Sequence, residues 1–241
     1  MIRFCAVIPT YDNPGTLRKV VLGLREHLSS IFVVDDGSGT EAEAIARALS
    51  DEGLITLLRL PVNQGKGAAC MAGFAMAKAA GFSHAVQVDA DDQHNLEDVP
   101  RFVAASEANP DALICGVPIF GNDAPMIRVV ARRISVFWVA VEISRGIVLD
   151  PLCGFRVYPL EASLRVPCRA PRMGFDTDIA VRLVFAGTPT VNLGTCVRYP
   201  AKREGAVSHF RPVLDSIRLS ALHTRLFFAS LGWRIRRLFK A

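Results

Sequence analysis

Apolar and polar positions alternate with two different periods along the first half of the chain. Short apolar runs at 3–8, 31–35, 54–58, 84–89 and 112–117 predict strands. Between them, Asn13 followed by Pro14 opens a helix to about His27, residues 65–80 form another, and Asn95 with Asp98 three residues on has the spacing of a helix cap. Strands alternating with helices over the first 120 residues predict an α/β fold, a mostly parallel central sheet with helices on both faces. Each predicted strand ends where a polar loop begins, and ligands of such sheets bind at the carboxyl ends of the strands. Beyond Pro125 the pattern turns helical. It predicts an amphipathic helix over 126–145 broken by Gly146, an irregular stretch at 150–172, a helix at 176–185, a strand at 190–197, a polar loop to Ser208 and a helix over about 212–228.

With 241 residues, 51% of them apolar, the chain can bury one full core, and the expected organisation is one domain over 1–225 followed by a tail, 226–241. The opening apolar run is short and ends at Pro9, and those at 136–143 and 226–233 are too short to cross a bilayer. The expectation is a soluble or peripheral protein. Six cysteines without a C-x-x-C pair argue against a zinc site or a disulfide framework and read as buried thiols in a reducing, cytoplasmic compartment. The net charge of +5 is uneven: from Arg198 onward ten Lys or Arg face only Glu204 and Asp215, leaving the first 197 residues acidic. A basic end on an acidic body points to an anionic partner.

The densest chemistry is Gln87-Val88-Asp89-Ala90-Asp91-Asp92-Gln93-His94, three carboxylates released from the end of a strand. Such crowding is costly without a cation, and Mg2+ or Mn2+ held by one or two carboxylates plus diphosphate oxygens would relieve it; the plain alternative is a solvated turn capped by Asp91 and Asp92. Asp35-Asp36-Gly37-Ser38 ends the second strand, where a carboxylate can accept from a base or ribose, or simply shape a turn. Pro9-Thr10-Tyr11-Asp12-Asn13 ends the first, with Tyr11 able to cover a base. Asn63-Gln64-Gly65-Lys66-Gly67 sets a lysine between glycines at a helix start, a place suited to phosphate, although P-loop spacing is absent.

In this order the four motifs resemble the donor-binding half of family 2 glycosyltransferases of the GT-A fold, and "VIPTYDN", "VVDDGS", "NQGKGAA" and "DADDQH" are most similar to the polyprenyl- or dolichol-phosphate mannosyltransferase-like branch. The resemblance covers the chain almost end to end. It implies a nucleotide-sugar-binding half over 1–120 and an acceptor half over 121–225. It implies that Pro9, Tyr11 and Asp36 hold the nucleoside, Asp89 the ribose or metal, Asp91 and Gln93 the metal, and that Lys66 lies near the nucleotide. Asp92 stands where the mannosyltransferases carry an apolar or small residue, so the resemblance does not name the donor sugar.

In the second half, Arg128 and Arg132 share one helix face at i,i+4, with Ser135 a turn on. They form either a solvated basic stripe or a phosphate clamp, and the resemblance implies the clamp, on a lipid-linked or phosphorylated acceptor. Asp150-Pro151-Leu152-Cys153-Gly154-Phe155-Arg156 resembles the acceptor-side segment, where glycine permits close backbone approach. Gly174-Phe175-Asp176 resembles the Glu-Asp pair that supplies a general base in inverting members, with Phe175 in the Glu position; Asp176 is thus a candidate base, a helix cap or, for an acceptor already anionic, a residue that orients substrate. Lys202 and Arg203 on a glycine-containing loop are candidates to neutralise the leaving diphosphate, and His209 to complete the metal shell. In the tail, Trp233 and Phe239 interleave with Arg234, Arg236, Arg237 and Lys240, the pattern of an interfacial helix on an anionic membrane. No nucleic-acid motif accompanies these charges. The expected activity is therefore an inverting, metal-assisted sugar transfer at the inner face of the membrane. Its alternatives are a non-catalytic nucleotide-sugar-binding subunit and a sugar nucleotidyltransferase, and the latter lacks its glycine-rich loop after the first strand. The absence of G-x-G-x-x-G there argues against a dehydrogenase.

Overall fold

Side-chain alternation along the first strand builds two cores at once. In the computed structural model, which describes residues 2–120, 126–170, 172–198 and 212–238, β1 (Phe4–Thr10) is buried from Cys5 onward. Cys5 and Val7 enter one apolar cluster, Ala6 and Ile8 the other, as a pleated strand with two covered faces requires.

The remaining strands are β2 (Ile31–Asp35), β3 (Thr56–Arg59), β4 (His84–Gln87), β5 (Leu113–Phe120), β6 (Arg156–Pro159) and β7 (Thr190–Val197), in the sheet order β3-β2-β1-β4-β6-β5-β7. The pairs β1–β2, β2–β3, β1–β4 and β5–β7 are parallel, whereas β6 is antiparallel to both β4 and β5. One face is covered by α1 (Leu17–Arg25), α2 (Thr40–Asp51) and α4 (Val99–Ala108). The other carries α3 (Lys66–Ala79), α5 (Met126–Ile143), α6 (Leu160–Arg165), α7 (Phe175–Phe185) and α8 (Pro212–Leu238).

Several elements depart from the pattern. The stretch at 150–172, expected to be irregular, contains β6 and α6. Four buried residues, Arg-Val-Tyr-Pro, are too few and too mixed to declare a strand, and pairing on both sides makes them one. The pattern also did not predict α2. The first helix opens at Leu17 rather than Asn13, because the amides of Thr16 and Leu17 turn back to the Asn13 carbonyl. Asn95 begins a 3-10 turn, Leu96–Asp98, with no side-chain cap. The last helix, expected to end near 228, continues to Leu238, and Leu226 within it is fully buried. Trp233, expected at a lipid boundary, packs against Phe185 with ring centroids 5.3 Å apart. Of the cysteines, Cys168 is only partly buried and Cys196 is exposed. Among the described residues no helix is long and apolar enough to cross a membrane.

Candidate active site

Parallel strands that begin together end together, so β1, β2 and β4 deliver their polar residues to one edge. There Pro9 is buried in β1 and Tyr11 is half-buried just beyond it. Asp12, in the left-handed conformation (φ 48°), accepts from the Gly39 amide at 2.7 Å and donates its own amide to Ser38 Oγ at 2.9 Å. Asp35 accepts from Arg59 and from the Ser38 amide. Asp36 is buried and its two oxygens accept from the Gln64 and Gly65 amides at 2.7 Å each, which ties the end of β2 to the start of α3. Burial pushes its carboxyl above the usual range, with the two amides working the other way. A carboxylate has lone pairs beyond these two, so the geometry leaves Asp36 able to accept from a ligand as well.

At the start of α3 the structure adds partners that the sequence did not indicate. Lys66, expected beside a phosphate, reaches two carboxylates: Nζ lies 2.7 Å from Asp89 Oδ1 and 2.7 Å from Asp176 Oδ2. Asp176 is buried, and its other oxygen accepts from Gln87 Nε2 at 3.0 Å. Burial works against the charged amine of Lys66, yet Asp176 and then Asp89 raise it well above the ordinary lysine range. For Asp89 burial is likewise outweighed, here by Lys66 and His94, and the carboxyl is held below the usual range. Asp176 is not the helix cap, since α7 is opened by Gly174 and Asp176 sits within its first turn. Phe175, in the position of the family's glutamate, is fully buried and faces Phe74 at 6.3 Å between ring centroids. Core packing accounts for the aromatic residue there.

Two residues without an assigned role prove central. Gln87 clamps Asp176 from the end of β4. Arg156, fully buried on β6, donates to the backbone carbonyls of Asp176 and Asp150. Gly154 is required by Asp89: a Cβ there would overlap Asp89 Oδ2 and stand 2.8 Å from Cγ and Oδ1. Cys153 is buried and its thiol pushed up to about 12 by burial, so it is no nucleophile.

The carboxylate cluster meets the requirements of a divalent cation only in part from protein. Asp91 is partly buried, its carboxyl raised first by burial and then by the charge of Asp89, and Asp89 Oδ1 is a buried acceptor with no well-directed donor. Both observations fit a site that a cation would stabilise. Among the described residues no three His, Cys, Asp or Glu side chains are gathered for a metal, so Asp91, Asp89 and Gln93 suit an ion that takes its remaining ligands from a substrate. Asp92 (φ 59°) turns the chain just after Asp91 and binds Lys19 at 2.8 Å and Arg198, which explains an acidic residue at that position. His94, not singled out from sequence, has Nε2 3.7 Å from Asp89 Oδ2.

A family model described as glycosyl transferase family 2 matches residues 5–160. The chain belongs to this family. A polyprenol monophosphomannose synthase from Mycolicibacterium smegmatis is 31% identical over 202 residues, 79% of this chain and 76% of that one. An undecaprenyl-phosphate mannosyltransferase from Micrococcus luteus is 29% identical over 203 residues, covering 80% and 82%. The crystal structure of glucosyl-3-phosphoglycerate synthase from Mycobacterium tuberculosis in complex with Mn2+, UDP-glucose and phosphoglyceric acid superposes with a TM-score of 0.69 at 19% identity, over 96% of this chain and 80% of that one. That likeness shows the fold, which is of the GT-A type. The protein is a glycosyltransferase.

In the second half of the transferase, Arg132 pairs with Asp150 and lies over the Phe120 ring, 5.3 Å from its centroid. It is therefore engaged rather than part of a free stripe. Ser135, on the same helix, is buried. The backbone of Arg128 lies in α5 but its side chain, like Lys202, Arg203 and His209, falls outside the described residues. Phe120 also lines a groove of about 1120 Å³ between α1, the 92–97 turn and the ends of β5 and β7, with Leu22, Gln93, Leu96, Ile119 and Arg198. Gln93 thus belongs to both the carboxylate cluster and the groove.

Proposed function

We propose that the transferase moves a sugar, with inversion, from a nucleoside diphosphate donor to an acceptor that is already an anion, a polyprenyl phosphate. The observation that carries this reading is the state of Asp176. It is buried and both of its oxygens already accept, one from Lys66 and one from Gln87, so neither is presented to an acceptor hydroxyl as a general base must be. An acceptor phosphate needs no such base: its oxygen attacks the anomeric carbon, the bond to the diphosphate breaks, and the nucleoside diphosphate leaves. The acceptors named for the two curated relatives, polyprenol phosphates, support the same choice.

In this reading Pro9, Tyr11 and Asp36 hold the nucleoside, Asp176 and Lys66 position the reacting groups, and Arg128 and Arg132 meet the acceptor phosphate. Ser135 acts from beneath them. Asp91 is the principal carboxylate for Mg2+ or Mn2+, with Asp89, Gln93 and His209. When bound, the cation supplies positive charge to the leaving diphosphate; Arg203 would add to that charge. Residues 1–120 serve the donor and 121–225 the acceptor, and the protein works peripherally on the cytoplasmic face of the membrane.

The test uses labelled UDP- and GDP-sugars with Mn2+ and a water-soluble, short-chain polyprenyl phosphate, its parent alcohol and phosphoglyceric acid as competing acceptors. Label should pass to the polyprenyl phosphate alone. Transfer to the alcohol would return Asp176 to the role of base, and transfer to phosphoglyceric acid would replace the lipid by a small phosphorylated acceptor.

A further inference from the structure

Helix α8 has two apolar faces, and the body of the protein covers only one. Leu222, Leu226 and the partly buried Trp233 turn inward to the core. Ile217, Ala221, Thr224, Phe228, Leu231 and Ile235 are all exposed, and their spacings alternate between four and three residues. That alternation holds a single straight stripe over a helical length of about 27 Å. Phe228, Ile217 and Ile235 are 65%, 61% and 55% exposed. One such side chain would be ordinary, but four large ones on one line of a helix, Ile217, Phe228, Leu231 and Ile235, mark a contact surface. Alongside, α5 exposes Ile134 and Phe137, and Trp138 stands at the seam, stacked on His223 of α8 at 6.4 Å between ring centroids. Arg234 crosses the same seam to the Val141 carbonyl.

Charge decides what covers this face. Arg218, Arg225 and Arg236, seven and eleven residues apart, run along one border of the stripe, and Arg234 lies on the other; all are exposed. Arg133 on α5 and Arg145 just beyond it are exposed as well. Residues 216–241 contain no Asp or Glu. A second copy docked on the same face would set arginine against arginine without a carboxylate to answer it. A bilayer containing anionic lipid answers both features, with an apolar boundary for the stripe and headgroup phosphates for its borders.

We infer that the outer face of α8, with the exposed residues of α5, is the surface by which the protein lies on an anionic membrane. This rests on the reading of a membrane-borne acceptor but names a different surface from the terminal tail: contact begins at Ile217, and Trp233 belongs to the fold. The helix lies along the interface, with Phe228 and Leu231 at the acyl boundary.

The experiment is flotation of the full-length protein with vesicles of phosphatidylcholine alone or mixed with phosphatidylglycerol, without donor or acceptor. Wild type should float with the mixed vesicles and weakly with the neutral ones. Phe228→Ser combined with Leu231→Ser should lower the partition coefficient at least about tenfold with an unchanged melting temperature, since both side chains are exposed. Replacing Arg218, Arg225 and Arg236 by Gln should cost roughly fivefold for each charge, on the mixed vesicles only. Trp233→Ala should lower the melting temperature and leave the partition of the folded protein unchanged. The inference is overturned if the Phe228/Leu231 variant floats like wild type, if wild type prefers neither vesicle, or if that variant turns a dimer into a monomer by light scattering while vesicle binding persists. Because these vesicles hold no acceptor, failure here leaves the transfer reaction standing, and a failed transfer to the water-soluble acceptor leaves the membrane face standing.

Discussion

The edge where β1, β2 and β4 end, proposed above as the donor edge, and the helical second half both bury polar groups, but they hold them by different means. At the ends of β1 and β2, Asp12 and Asp36 accept from backbone amides of Gly39, Gln64 and Gly65. Those amides are placed by strand register and loop shape, so the edge is assembled as soon as the parallel sheet is. In the second half charge mostly meets charge or a buried polar chain: Arg132 with Asp150, Arg182 with Asp178, Glu142 with His223 across α5 and α8. The first and last of these exist only once two separate segments have packed, whereas Arg182 and Asp178 stand one turn apart on α7. The two regimes join at Lys66, which takes one carboxylate from the donor edge and one from α7, 110 residues away. Lys66 is thus the point at which locally built and globally built structure meet.

The sharpest way to break this comparison is to remove charge from the donor edge without disturbing the fold. Asp91→Asn should lower transfer by about 10²- to 10³-fold, the range for loss of a group that serves a leaving charge. Its raised folded-state carboxyl means that ionised Asp91 weighs against folding above the ordinary carboxylate range, so the variant should unfold at an equal or higher temperature near neutrality. Steady-state kinetics with a melting curve decide the matter; activity within about tenfold of wild type would show that the edge does not depend on this carboxylate.

A smaller effect is expected where the two regimes touch without any charge being altered. Gly154→Ala introduces a Cβ into the space of Asp89, and displacing that carboxylate by about 1 Å should cost about 10²-fold in transfer. Overpacking should also remove about 1–3 kcal/mol of stability. Calorimetric titration of nucleoside diphosphate with Mn2+ should show weakened binding; unchanged binding and rate would mean that Asp89 can shift freely.

The smallest effect belongs to the second half. Glu142 is fully buried, and burial raises its carboxyl, with His223 opposing. A raised folded-state value means that the fold favours the protonated form: the contribution is complete below the ordinary carboxylate range and is lost as pH rises through the raised value. Glu142→Gln should therefore match wild type in acid and equal or exceed it by up to about 1 kcal/mol near neutrality. Urea unfolding across that range reads the difference, and parallel pH profiles would return the glutamate to an ordinary solvated state.

These effects sort the residues by how visible they were in the chain. The clusters at Asp12, Asp36 and Asp89–Gln93 were legible because a strand end followed by a polar loop is a local signal. The same reading marked Lys66 from its glycine-flanked position at a helix start but gave no sign of its carboxylate partner on α7. It passed over Gln87 and Arg156, because a glutamine or arginine within an apolar run carries no mark of its partner. For Trp233 it recognised the alternation of aromatic and cation, yet that alternation is common to a helix facing lipid and one facing its own core.

The sequence by itself determined the alternation of strands and helices through the first half, the edge at which polar residues gather, and the crowd of carboxylates there, since each follows from periodicity and neighbour identity. Only the tertiary structure decided that β6 enters antiparallel between β4 and β5, that Lys66 joins Asp89 to Asp176, and which side of α8 faces outward. Those outcomes depend on groups brought together across 23 to 110 residues, where the free energy comes from burial and charge pairing between elements rather than from any preference within one.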